Sequence, residues 1–530
     1  TLIEAIAGSI TQNANIDTLG NLTITSSDNI NVNANITTTD KTIDMQAANS
    51  ITMSDGTSIS SANGNIILDA NIGSVDIDII NAGNANVNIT AGTSIVDVDE
   101  TSLITGTNLT LNATENIGTS TNHLNTNVDT LSATAGDAGL FVTETDTLII
   151  DTITSASDVN IIAGGSILDS TDNTTSITGI NLTLSATNNI GTITNHLNTE
   201  VATLSAIAGD AGLFVTESNA LTIDTVSTTG DAVITATSIV DVDETSLITG
   251  TNLILNATEN IATSTNHLNT NVDTLSAIAG DAGLFVTETD ALTIDTVNSS
   301  GDVEINTILN DLVLSGNIVT TGNASSVKLN SNNDITMNSD KSIITNNGDV
   351  ELIAVNNVNL ETINAGSASV NITAENLNDI DGNSDSKIDI IASDLSLNLS
   401  SAIGTITNHI ETNVDTLSAI AGDAGLFVTE TNAVTINNLE SNGAMILQVS
   451  TGDINTTSDA VITSKANTLI EAIAGSITQN ANIDTLGNLS ILASNTFTQN
   501  VNINAIGTID VEAATIAMGS QARSEEHTSE

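Results

Sequence analysis

Leu22-Thr23-Ile24-Thr25-Ser26-Ser27-Asp28-Asn29-Ile30-Asn31-Val32 is answered one turn of the pattern later by Ile43-Asp44-Met45-Gln46-Ala47-Ala48-Asn49-Ser50-Ile51-Thr52-Met53. Each stretch holds two alternating apolar pairs, Leu22/Ile24 with Ile30/Val32 and Ile43/Met45 with Ile51/Met53, separated by Asn, Asp and Ser. Strict alternation bounded by turn residues reads as short β-strands. Ile66/Leu68, Val75/Ile77 and Val87/Ile89 continue the series, so a pair of strands plus turns returns about every 22 residues. That length is one coil of a solenoid, in which no coil buries its apolar face alone and stacked neighbours build a continuous column.

A longer period lies over the short one. The block Leu131-Ser132-Ala133-Thr134-Ala135-Gly136-Asp137-Ala138-Gly139-Leu140-Phe141-Val142-Thr143-Glu144 recurs with Phe214, Phe285 and Phe427 in place of Phe141. Successive copies stand about 71 residues apart, and the last follows at twice that spacing. Ile80-Asn81-Ala82-Gly83 returns as Ile363-Asn364-Ala365-Gly366, close to four such units further on. A superrepeat of about 71 residues, or three coils, therefore runs through positions 1–522, clearest over 94–297 and 395–440. Thr1 to Leu22 also reappears unchanged as Thr468 to Leu489, a larger duplication or an assembly error. The fold expected is all-β, a right-handed parallel β-helix or β-solenoid. About 24 coils at ~4.8 Å each would make a rod of about 115 Å.

Composition agrees and narrows function. Among 530 residues Pro, Cys, Trp and Tyr are absent, and Asp plus Glu outnumber Lys plus Arg by 63 to 6, for a net charge of −57. A chain so acidic and poor in aromatics would read as disordered, but 39% hydrophobic residues supply an aliphatic core. The lack of Pro suits strands that are all central and need every N–H for the ladder. Asn at turns can pair in ladders from coil to coil. Without cysteine, disulfides and thiolate metal sites are excluded. Polar residues interrupt every apolar cluster, so no membrane-spanning helix is expected. The basic footprint that nucleic acid or anionic membranes need is missing. Thr1 with no leader reads as a cut inside a longer frame, and the tail Arg523-Ser524-Glu525-Glu526-His527-Thr528-Ser529-Glu530 reads as a translated sequencing adapter outside the fold.

Like charges stacked at coil spacing repel unless screened. The thermal midpoint is therefore expected to rise with added salt or divalent cations, and equal midpoints at low and high salt would refute the idea.

The block Ile117-Gly118-Thr119-Ser120-Thr121-Asn122-His123-Leu124-Asn125-Thr126, followed by Leu131 to Glu144, resembles repeats of filamentous-haemagglutinin-like bacterial exoproteins. That resemblance covers Thr1 to about Gln521. It implies export by a two-partner or autotransporter route, with an outer-membrane transporter as partner during secretion. It further implies an extracellular or cell-surface location, and a role in adhesion, aggregation or biofilm toward cell-surface or matrix ligands. The family's amino-terminal secretion domain with its Asn-Pro motifs is missing, so this chain would be a central shaft. A passive stalk carrying a terminal effector such as a toxin is the alternative, and a polysaccharide-acting β-helix enzyme a weaker one.

Few residues could carry chemistry. His123, His196, His267 and His409 stand at one fixed distance before Gly136, Gly209, Gly280 and Gly422. Three coils, roughly 14 Å, would separate successive rings, too far for a shared metal ion, so they read as a repeated loop residue. Phe141, Phe214, Phe285 and Phe427 read as one core or loop plug per unit. Asp379, Asp381, Asn383 and Asp385 have the composition of a calcium loop, but Gly382 is misplaced and Ile390 stands where the bidentate Glu belongs, which excludes an EF-hand and leaves only a looser calcium contact. Gly164-Gly165 is the sole Gly pair, against a calcium β-roll. Lys41, Lys328, Lys341, Lys387 and Lys465 are scattered, against a lyase that neutralises acidic substrate. Thr23/Thr25 and Thr143/Thr145 do not recur at coil spacing, against an ice-binding array. The expectation is a non-enzyme with no catalytic, cofactor-binding or metal residue.

Overall fold

The computed structural model describes residues 1–99, 101–170, 174–243, 245–381 and 387–526. Every regular element among them is a β-strand, and every strand pairing that joins named strands is parallel. The chain divides into two units, Thr1–Ala257 and Thr258–Glu530. Each is a β-solenoid, and together they comprise about 24 coils spaced about 21 residues apart.

In the first unit the register runs Leu22↔Ile43↔Ile66↔Val87↔Leu109↔Leu131, so the alternating pairs stack on one another as the periodicity requires. The coil holds a third strand that alternation did not reveal. After Leu22–Ser26 and Ile30–Val32 comes Ile36–Thr38, which pairs with Ser58–Ser61 of the next coil. One coil thus places Leu22, Ile24, Ile30, Val32 and Ile36 inside, all but wholly buried. Each such side chain contributes roughly 1.5–3 kcal/mol when taken from water. The third strand escaped notice because its second inward residue is polar: Thr38 and Ser61 are buried, and both hydroxyls donate to the Lys41 carbonyl at 2.7 and 3.0 Å. A short hydroxyl can enter the core when a backbone acceptor awaits it.

The second unit repeats the scheme with Val303↔Val327↔Val350↔Val370↔Leu395↔Leu417. In the superrepeats, neighbouring strands run together around a corner, as in Ile390–Ile403 and Ile410–Ala421. Ser524–Glu526 add a parallel rung against Ile503–Ala505 through the main chain.

Asn does form ladders, as Asn33 to Asn13, Asn108 to Asn86 and Asn500 to Asn480 at 2.8 Å each. It equally donates to Asp on an adjacent coil, as Asn63 to Asp40 (2.9 Å), Asn252 to Asp231 (2.7 Å) and Asn504 to Asp484 (2.6 Å). A neutral amide next to each carboxylate dilutes the stacking of like charge and gives the acid a donor.

Candidate functional site

The residues singled out by the superrepeat converge on one device. The strand Gly139–Glu144 lies against an interrupted partner: Leu140 pairs with Ile117 and Val142 with Leu124, so Gly118 to His123 leave the ladder as a six-residue excursion. A Thr119↔Asn122 bridge closes it. His123 turns back, with Nδ1 3.1 Å from Thr143 Oγ1 and its ring tilted on Phe141 at 5.8 Å between centroids. The same excursion recurs with His196 on Phe214, His267 on Phe285 and His409 on Phe427, at 6.0, 5.8 and 6.1 Å. Each Phe points away from the aliphatic column and is shielded by its loop, so these four plug their loops, whereas Phe497 stacks on Ile477 inside the column. Burial lowers the imidazole pKa of His123, His196 and His409, which keeps these rings neutral near pH 7. Each His is thus paired with the Phe of its own superrepeat.

The excursion must open with a left-handed residue. Gly118, Gly191 and Gly404 have φ of 64, 66 and 60°, and a Cβ on Gly404 would lie 2.9 Å from the Phe427 carbonyl oxygen. Ala262 occupies this place in the third superrepeat at φ 60°. Left-handed backbone costs a Cβ-bearing residue about 1–2 kcal/mol, partly offset because glycine loses more freedom on folding. Ala262→Gly is therefore expected to stabilise its unit by up to about 1 kcal/mol and Gly404→Ala to destabilise it by about 1–2 kcal/mol. Chemical denaturation of the two variants checks this, and shifts of the same sign would contradict it.

Sequence reasoning passed over a buried carboxylate in the same block. Glu144, Glu217, Glu288 and Glu430 are at most 3% exposed. In the first, Oε2 accepts from Thr126 Oγ1 (2.8 Å) and Val128 N (3.1 Å), while Oε1 accepts from Thr145 N (2.8 Å). Thr199 and Val201, Thr270 and Val272, and Thr412 and Val414 repeat these bonds for the other copies. Desolvation raises the pKa of all four against the pull of those hydrogen bonds. The carboxylate thus joins the N–H of Val128 on the strand that follows the excursion to the N–H of Thr145, which it shares with the Thr126 carbonyl. Leu140, Val142 and Glu144 share one strand parity, and that was the signal available in the sequence.

A further polar node sits at the base of the first, second and last excursions. In the second superrepeat Asp169 accepts from Ser176 Oγ (2.7 Å) and Asn198 Nδ2 (2.9 Å). In the first, Asp97 accepts from Asn125 Nδ2 at 3.3 Å. In the last, the corresponding residues are Asp379, Asp389 and Glu411, which bring one carboxylate oxygen each within 4.8 Å of one another. Glu411 N donates to Asp389 Oδ2 at 2.8 Å, and Asp389 Oδ1 has no hydrogen-bond partner among the described residues. Burial, then the charges of Asp379 and Glu411, hold the Asp389 carboxyl well above the usual range. Of the expected acidic loop, Asp379 belongs to this node and Asp381 faces Lys387 Nζ at 3.4 Å, while Asn383 and Asp385 lie outside the described residues.

The lysines stay apart. Lys328 sits between Glu304 (3.4 Å) and Glu351 (3.8 Å) on adjacent rungs. Lys387 pairs with buried Glu361 and with Asp381. Lys465 lines a groove of about 480 Å³ with Glu440 and Asp484, and Lys41 is exposed. No helix among the described residues is long and apolar enough to cross a membrane. Comparison with known proteins finds no family model, no curated protein and no solved structure that matches this chain.

Proposed function

We propose that this chain is the central shaft of an exported bacterial surface adhesin of the filamentous-haemagglutinin type, acting by display and contact without catalysis. One observation carries the reading: the polar and aromatic residues that recur with the superrepeat are spent on closing the coil lattice. His123, Phe141 and Glu144 with their counterparts hold excursions in place. Solenoids lengthen by repetition and offer side chains at regular intervals, which suits a shaft. Acidity suits an extracellular setting in which cations screen the surface.

Beads coated with the purified chain are expected to bind cell surfaces or extracellular matrix, with soluble chain as competitor. Binding no greater than that of albumin-coated beads would reject adhesion by the shaft itself and leave a spacer. Turnover of an acidic polysaccharide by the chain would overturn the non-catalytic reading.

A further inference from the structure

The superrepeat provides its own control for the node at Asp379, Asp389 and Glu411. Ile177 pairs with Thr199 as Ile390 pairs with Thr412, and Ser176 N donates to the Asn198 carbonyl as Asp389 N donates to that of Glu411. Ser176 therefore corresponds to Asp389, and Asn198 to Glu411. In the second superrepeat one carboxylate is satisfied by a hydroxyl and an amide. In the last, both donors have become carboxyl groups, two added acids at one buried place. Asp389 is wholly buried, and its Oδ1 meets no donor among the described residues. Burying charge without a partner is costly, and two more acids would be a poor exchange for two donors unless something cationic joined them.

We propose that Asp379, Asp389 and Glu411 form a calcium site specific to the last superrepeat. The ligands are all hard oxygens, and an oxygen spread of 4.8 Å is what one ion at ~2.4 Å from each can bridge. Glu411 is half-buried and gives the ion a way in, with water completing the shell. Mg²⁺ demands a tighter octahedron and dehydrates reluctantly, so Ca²⁺ is favoured. The ion would tie the end of Ser369–Asp379 to the start of Ile390–Ile403 across one corner of a coil, and both to the start of Ile410–Ala421 on the next, pinning two rungs together.

Calorimetric titration of the full chain with CaCl₂ in about 0.15 M NaCl, with Mg²⁺ present to occupy diffuse sites, tests this. The parent is expected to show one saturable Ca²⁺ per chain with Kd of about 10⁻⁴ M or tighter, and a higher melting midpoint when loaded. Asp389→Ser combined with Glu411→Asn rebuilds the node of the second superrepeat, which folds within this same chain. That variant should keep the parent's far-ultraviolet circular dichroism and bind Ca²⁺ at least about tenfold more weakly. The same isotherm for parent and variant, or no saturable binding in the parent, would overturn the proposal and leave carboxyl groups that share a proton.

Discussion

Glu430→Ala is expected to destabilise its unit by about 3 kcal/mol. Truncation strands the Thr412 hydroxyl and the N–H groups of Val414 and Asn432, now 2.6, 3.1 and 3.0 Å from the carboxylate. Each buried donor left without an acceptor costs about 1–3 kcal/mol, and the relief of desolvation returns part of the sum. Glu430→Gln keeps the shape but turns an amide toward N–H donors, so about 1–2 kcal/mol is expected. Titration gives a second readout. The folded carboxyl binds its proton more tightly than the unfolded one, so ionisation costs the fold. That cost is absent below the ordinary value of 4.5 and grows as pH rises through the raised folded value. The lowered histidines act the other way, losing stability as pH falls below 6.5. The difference between parent and Glu430→Gln isolates the carboxyl: it should widen toward acid and narrow toward neutral pH. Urea unfolding at several pH values measures it, and a difference independent of pH would refute the assignment.

Asn88→Pro should be at least as damaging, about 3 kcal/mol or more. Asn88 lies in Val87–Ala91, flanked on both sides by Ile66–Ala70 and Leu103–Ala113 through Asn88↔Ile67 and Asn88↔Thr110. A strand paired on both edges has no free N–H to give up, and proline removes one while its ring crowds the neighbouring rung. Asn88→Val, which keeps the N–H and suits a strand, should change stability by less than about 1 kcal/mol. Melting curves for the pair separate backbone from side chain, and equal losses would place the cost in the lost amide instead.

The coil period, its parallel register and the aliphatic column were legible because Leu22/Ile24 and Ile43/Met45 alternate at a fixed distance. The third strand was not, since Thr38 and Ser61 look like turn residues until the Lys41 carbonyl is in place to receive them. His123 and Phe141 were recognisable as a repeated pair but not as partners, because their contact depends on the chain leaving the ladder between Ile117 and Leu124. The node at Asp379, Asp389 and Glu411 was half visible. Asp379 drew attention within its own loop, whereas Asp389 joins it across a corner of the coil and Glu411 from the next rung, where sequence distance carries no information.

The segment from Thr1 to Leu22 and its copy from Thr468 to Leu489 adopt the same local course in two settings. Ile10–Gln12 and Ile16–Thr18 reappear as strands Ile477–Gln479 and Ile483–Thr485. Gln12 and Gln479 make the same 2.6 Å bond to the carbonyl two residues ahead. Only the neighbours differ, so the path of a coil is written in its own residues. A recombination event that adds or removes one whole superrepeat therefore meets a matching interface at the join, and length becomes a trait that selection can adjust without redesigning the fold.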